Sequence, residues 1–172
     1  MLTLFGLVLN GVVAYLLATE HLVAGGIMVI FAGLFDMLDG ALAKITNRVT
    51  DFGAFLDSVV DRYSEAIVLF GLLLYYYYRP NSQGLVEIIL IYVILVGSMM
   101  ISYARARAGA LKIKNEVGIM ARPERIVILA VGLLFATVLL VPALWVLAVG
   151  TQITAIHRIF HVWQVTSGKR EP

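Results

Sequence analysis

The 172-residue sequence contains no cysteine, so disulfide frameworks, thiolate metal sites and cysteine nucleophiles are excluded at once. Charge is also scarce: 14% of residues are Asp, Glu, Lys or Arg, and the formal net charge is +2, which leaves no basis for a nucleic-acid partner. No internal repeat, no Pro/Gly/Ser-rich linker and no charged tail beyond the last few residues divides the chain. A single domain over residues 1–172 is therefore expected. What fills the sequence instead is apolar: 61% of residues are hydrophobic, against about 45–50% in soluble domains. A membrane protein is the default reading.

Apolar runs fall at Leu2–Ala18, Val23–Ile45, Phe52–Tyr78, Leu85–Arg107, Ile126–Val141 and Ala143–Val165. Crossing a hydrocarbon core takes about 20 residues of helix, so the pattern predicts an all-α bundle of six transmembrane helices. Pro142 is expected to mark the turn between the last two, because proline lacks the amide proton a continuous helix would use. The first run has neither a basic leader nor a small-residue cleavage site and reads as a retained helix. Its abrupt start suggests a shortened N-terminus.

The basic residues choose a side. Lys44 and Arg48, the stretch from Arg105 to Arg125, and Arg158, Lys169 and Arg170 share one face of the predicted bundle, whereas the opposite connections carry only Arg79. The positive-inside rule then puts both termini in the cytoplasm, and Tyr75 to Tyr78 are expected as an outer aromatic belt.

Asp36, Asp39, Asp57 and Asp61 interrupt these apolar runs, at a cost of about 2.5–3.5 kcal/mol each near a helix centre. Spacings of three and four residues put each pair on one helix face, and both pairs lie toward the predicted cytoplasmic ends of consecutive helices. Four converging carboxylates repel unless a cation sits among them, and an all-oxygen donor set suits Mg²⁺ or Mn²⁺, with two ions plausible for displacement at phosphorus. The alternative is structural pairing with Lys44, Arg48 or Arg62.

The pattern Asp36-x-x-Asp39-Gly40-x-x-Ala43, then Gly53-x-x-x-Asp57-x-x-x-Asp61, resembles the signature of the CDP-alcohol phosphotransferase family. It departs at Lys44, where the signature has arginine; the charge is kept but the bidentate fork is lost. The resemblance implies that Asp36, Asp39, Asp57 and Asp61 bind metal and that Asp61 is also the general base on the acceptor alcohol. It implies CDP-lipid contacts at Thr3, Asp39, Gly40, Ala43, Lys44, Thr50 and Gly53. A homodimer among membrane lipids, with its active site facing the cytoplasm, is implied as well.

The stretches Ser102 to Ala108, Gly118-Ile119 and Arg122-Pro123-Glu124-Arg125, with the C-terminal run from Trp145 through Arg158 to Trp163, are similar to bacterial phosphatidylinositol phosphate synthases. That resemblance implies CDP-diacylglycerol as donor, inositol phosphate or another phosphorylated alcohol as acceptor, and an acceptor-phosphate pocket of Arg105, Arg125 and Arg158. Arg105 stands where lysine is common, and Gly109 replaces an acidic residue. Glycerol-3-phosphate is the alternative acceptor. From residues alone, the alternative is that these arginines serve only to orient the protein, and intramembrane acids also suit an ion-coupled transporter. His157 and His161, four apart, lack a third metal ligand and read as interfacial residues. Glu65, one turn beyond Asp61, is expected to orient Arg62, line the site or pair structurally.

Overall fold

Near-continuous apolar runs leave a backbone no partner but itself, and the chain is accordingly all-helical. In the computed structural model, residues 2–45, 50–78 and 84–168 are described, the side chains of residues 2–4 and 37–45 excepted. They form α1 (Leu2–Ala18), α2 (Leu22–Ile45), α3 (Asp51–Tyr77), α4 (Leu85–Ala110), α5 (Arg122–Leu134) and α6 (Ala136–Ser167). No strand occurs among the described residues.

The main discrepancy concerns Pro142, which does not mark a turn but lies inside α6. The break falls at Phe135, whose φ of −109° and ψ of 46° leave the helical region. Its carbonyl then accepts from the amides of Val138 and Leu139 at 3.0 and 2.8 Å, starting α6 at once. Gly132 explains the position: a Cβ there would stand 2.7 Å from the Cβ of Ala143, so α5 and α6 meet backbone to backbone and the turn must lie between these residues. Pro142 is in the second turn of α6, where its ring removes one hydrogen bond without ending the helix.

Two helices end on left-handed residues that are not glycine. After α1, Glu20 takes φ 69° while His21 donates to the Leu16 carbonyl at 2.9 Å and Glu20 to that of Leu17 at 3.1 Å. Lys112 repeats this after α4 at φ 58°, with Ile113 donating to Ala108 and Lys112 to Gly109. Both are Schellman closures, satisfying carbonyls that a helix end would leave open.

The substantial helix contacts run α1 to α2, α2 to α5, α5 to α6, α6 to α4, α4 to α3 and α3 back to α1, closing a ring. Its interior is filled by Val13, Leu17, Leu72, Ile91, Ile94, Leu133, Leu144 and Leu147, none more than 2% exposed. Small residues bring neighbours close: Gly71 of α3 rests on the backbone of Ala14 in α1, leaving no room for a Cβ. In the ring, α1 thus stands between α2 and α3, the helices that carry the aspartates.

Outside the ring, large apolar side chains face outward on every helix, among them Phe5, Phe31, Phe70, Tyr92, Val127 and Trp145. By length and composition α4 and α6 can each cross a membrane, and α1 and α2 contain the shorter apolar helices Phe5–Ala18 and Leu22–Asp36. A contiguous apolar exterior of this kind belongs to a membrane protein. The tyrosine run divides: Tyr77 and Tyr78 are exposed, but Tyr75 and Tyr76 are core, so only half of the expected belt faces outward.

Candidate active site

Thr50 fixes where α3 begins. Its hydroxyl accepts from the Gly53 amide at 3.0 Å, an N-cap that starts the helix at Asp51 and sets the rotation of every acid after it. Asp57, Asp61 and Glu65 then follow at intervals of four, along one stripe of α3. From α2, Asp36 reaches the same place: oxygens of Asp36, Asp57 and Asp61 all lie within 4.8 Å of one another. The expected convergence is therefore present for three of the four aspartates. The side chains of Thr3, Asp39, Gly40, Ala43 and Lys44 lie outside the described residues, so their expected roles have no geometry here.

A cation does sit between two of the acids, and it is Arg122. One nitrogen, Nη1, lies 2.7 Å from Asp36 Oδ2 and 2.7 Å from Asp61 Oδ1. Among the described residues, the ion-pair partner of Asp36 and Asp61 is thus Arg122 rather than Arg62, while Arg48 and the Lys44 side chain lie outside the described residues. Pro123 gives the local reason, since proline in the first turn starts α5 at Arg122 and points it at the acids. A positive side chain opposes the dipole at a helix N-terminus, and the two carboxylates offset that.

One turn along α5, Arg125 is 5% exposed at its side chain and pairs with Glu65. Nε donates to Oε1 at 2.8 Å and Nη2 to Oε2 at 2.9 Å, while Nη1 donates to the Met120 carbonyl at 2.9 Å. Arg158 of α6, also buried, donates from Nε to the Val117 carbonyl at 3.0 Å and from Nη1 to that of Ile101 at 2.7 Å. With Met120 N donating to Thr154 Oγ1 and Asn115 Nδ2 to the Arg158 carbonyl, α6 anchors the 111–121 segment that delivers α5 to the site. Arg105 is different: it is largely exposed and shares Glu116 with Lys114, each contact 3.1 Å. Lys114 first and Arg105 second hold the Glu116 carboxyl below the usual glutamate range, by hydrogen bonding and by charge.

Two cavities meet at this point. A narrow one of about 70 Å³ runs from Asp36, Asp61 and Arg122 into the ring beside Asn10 and Ser64. A wider one of about 380 Å³ is lined by Arg62, Arg105, Arg122, Arg125 and Arg158 with Ser58 and Ser102. The three arginines expected to form an acceptor pocket therefore do share one cavity, together with two that were not expected to define it. Arg122 lines both spaces. His157 and His161 take no part; a ring nitrogen of His161 is 3.2 Å from the Lys114 carbonyl.

The sequence profile of the CDP-alcohol phosphatidyltransferase family matches residues 1–164. The chain belongs to that family. It is 38% identical over 166 residues to the phosphatidylinositol phosphate synthase of Mycobacteroides abscessus, covering 93% of this chain and 74% of that one. It is 36% identical over 164 residues to the archaetidylinositol phosphate synthase of Pyrococcus horikoshii, covering 92% and 80%. Two crystal structures of the Mycobacterium tuberculosis phosphatidylinositol phosphate synthase, one with CDP-DAG bound and one with manganese and citrate, each superpose with a TM-score of 0.86 at 35% identity. Each covers 94% of this chain, and the chain covers 84% of the first and 80% of the second. As a phosphatidyltransferase family member, the chain is an enzyme by class, and the transporter reading of its intramembrane acids falls away.

Proposed function

We propose that the protein transfers the phosphatidyl group of CDP-diacylglycerol to a hydroxyl of inositol phosphate, giving phosphatidylinositol phosphate and CMP. One observation carries this reading: Arg122 is a wall common to the carboxylate cavity and the arginine cavity. A place for a cation-bound pyrophosphate and a place for an anionic acceptor thus lie one side chain apart. The names of the relatives in Mycobacteroides abscessus and Pyrococcus horikoshii support inositol phosphate as that acceptor.

Asp36, Asp57 and Asp61 fit Mg²⁺ or Mn²⁺, because their oxygens converge within 4.8 Å and offer only the hard donors these ions take. Asp39 would complete the set. Two bound ions would neutralise the pyrophosphate and stabilise the entering and leaving oxygens of an in-line displacement. Asp61 accepts the proton of the acceptor hydroxyl. The freed oxygen bonds to the phosphorus that bears diacylglycerol as the bond from that phosphorus to the bridging oxygen breaks. CMP departs with that oxygen and its electron pair. Arg105, Arg125 and Arg158 hold the acceptor phosphate, since guanidinium groups offer it paired donors. Thr3, Asp39, Gly40, Ala43, Lys44, Thr50 and Gly53 contact the CDP-lipid.

In the membrane we read six transmembrane helices with both termini and the active site cytoplasmic, one domain over residues 1–172 and a homodimer. The distribution of Lys and Arg in the sequence supports that orientation. The experiment is CMP release from CDP-diacylglycerol with inositol phosphate or glycerol-3-phosphate as acceptor, with Mg²⁺ present or chelated. Release that needs both Mg²⁺ and inositol phosphate is expected. Faster release with glycerol-3-phosphate would reassign the acceptor, and metal-independent release would remove the mechanism.

A further inference from the structure

The five arginines of the wider cavity are not electrically equivalent. Arg105 is paired with Glu116, Arg122 with Asp36 and Asp61, and Arg125 with Glu65. Arg158 donates only to neutral carbonyls, which occupy its protons without cancelling its charge. Arg62 has no carboxylate within 4.0 Å among the described residues and donates no hydrogen bond to them. Asp61 and Glu65 act on it through space, yet neither reaches ion-pair distance. Among the described residues no acid lines this cavity. Among the described residues, three of these cations therefore have an ion-pair partner and two do not.

Two unpaired guanidinium charges match the charge of about −2 that a phosphate monoester carries near neutral pH. A partly buried cation without a counter-ion is costly, so the cavity favours a ligand that brings the missing charge. We infer that Arg62, with Arg158, supplies the uncompensated charge that recognises the acceptor's phosphate, and that Arg62 thereby makes the enzyme select a phosphorylated alcohol over the free one. This rests on the acceptor reading above. It adds an arginine of α3, next to the general base, to the arginines that α4, α5 and α6 contribute. Ser58 and Ser102, on the same walls, suit the acceptor's uncharged hydroxyls.

The full-length enzyme in detergent tests this through Arg62→Gln and Arg62→Lys. Arg62→Gln should raise the apparent KM for inositol phosphate about tenfold or more and leave that for CDP-diacylglycerol within about twofold, as expected for loss of one charge-assisted hydrogen bond. Inhibition by inorganic phosphate should weaken in proportion, and inhibition by free inositol should stay as it is. Arg62→Lys keeps the charge and should recover most of the loss.

Equal changes in both KM values would make Arg62 structural and overturn the inference, as would an unchanged response to phosphate. A second readout needs no turnover: inorganic phosphate should raise the thermal midpoint of the wild type and do so much less for Arg62→Gln. If the wild type transfers to neither phosphorylated acceptor, the functional reading fails. The thermal shift then still decides Arg62, an equal shift in both proteins refuting its role.

Discussion

Glu65 grips Arg125 along the edge of its guanidinium, with Oε1 2.8 Å from Nε and Oε2 2.9 Å from Nη2. The pair sits one helical turn from Asp61 on α3 and one turn from Arg122 on α5, so it ties the acid-bearing helix to the helix that opens the arginine cavity. Sequence spacing put Glu65 near the site with Arg62 as the arginine it would orient, and the arginine it meets is Arg125.

Removing one member of such a pair strands the other. Glu65→Gln should destabilise the protein by about 3 kcal/mol, because a buried guanidinium loses its counter-charge. Thermal unfolding in detergent measures this. The double variant Glu65→Gln/Arg125→Met should regain most of the loss, and a double variant no more stable than the single would show that the pair is not what matters.

Asp61→Asn should lower turnover at least about 100-fold, the contribution of a positioned general base, with little change in the thermal midpoint. Turnover within a few-fold of wild type would reassign the base.

Arg122 engages Asp36 Oδ2 and Asp61 Oδ1, and so occupies two of the carboxylates that would hold a divalent cation. Arg122→Gln should therefore lower the Mn²⁺ concentration needed for half-occupancy, by about tenfold if the displaced contacts are worth as much as one charge-assisted hydrogen bond. Electron paramagnetic resonance of free Mn²⁺ reads this without turnover. Weaker Mn²⁺ binding in the variant would mean that Arg122 supports the site rather than competes for it.

Thr50 caps α3, and the same residue is proposed to touch the CDP moiety. Thr50→Ala should cost about 1 kcal/mol, whereas Thr50→Ser keeps the hydroxyl and should cost little. A drop in CDP-diacylglycerol affinity in the alanine variant at a temperature where it is fully folded would reveal the nucleotide contact separately from the cap.

The starts of the first four helices were legible because long apolar runs have few ways to end, and the aspartate pairs because charge in such runs is conspicuous. The α5–α6 boundary was not. Proline is the loudest local signal, yet the close approach of Gly132 to Ala143 is a tertiary fact and fixed the turn at Phe135. The Schellman closures at Glu20 and Lys112 were silent for a related reason, since neither carries the glycine that usually announces one. In the site, the family resemblance pointed to the three expected arginines, but their partners were not legible. Whether an arginine meets a carboxylate, as Arg125 does, or a carbonyl, as Arg158 does, depends on helices far apart in the chain. Pro123 was the usable clue to where α5 begins, since proline favours the first turn of a helix.

The helix without a single acidic or basic side chain lies beside both helices that carry the acids. Because α1 is lodged between the two acid-bearing helices and touches α3 through Gly71 with no slack, the backbone of Ala14 is a fixed stop for α3. A methyl group added at position 71 would collide with that backbone, so α1 and α3 could close the ring only by moving apart.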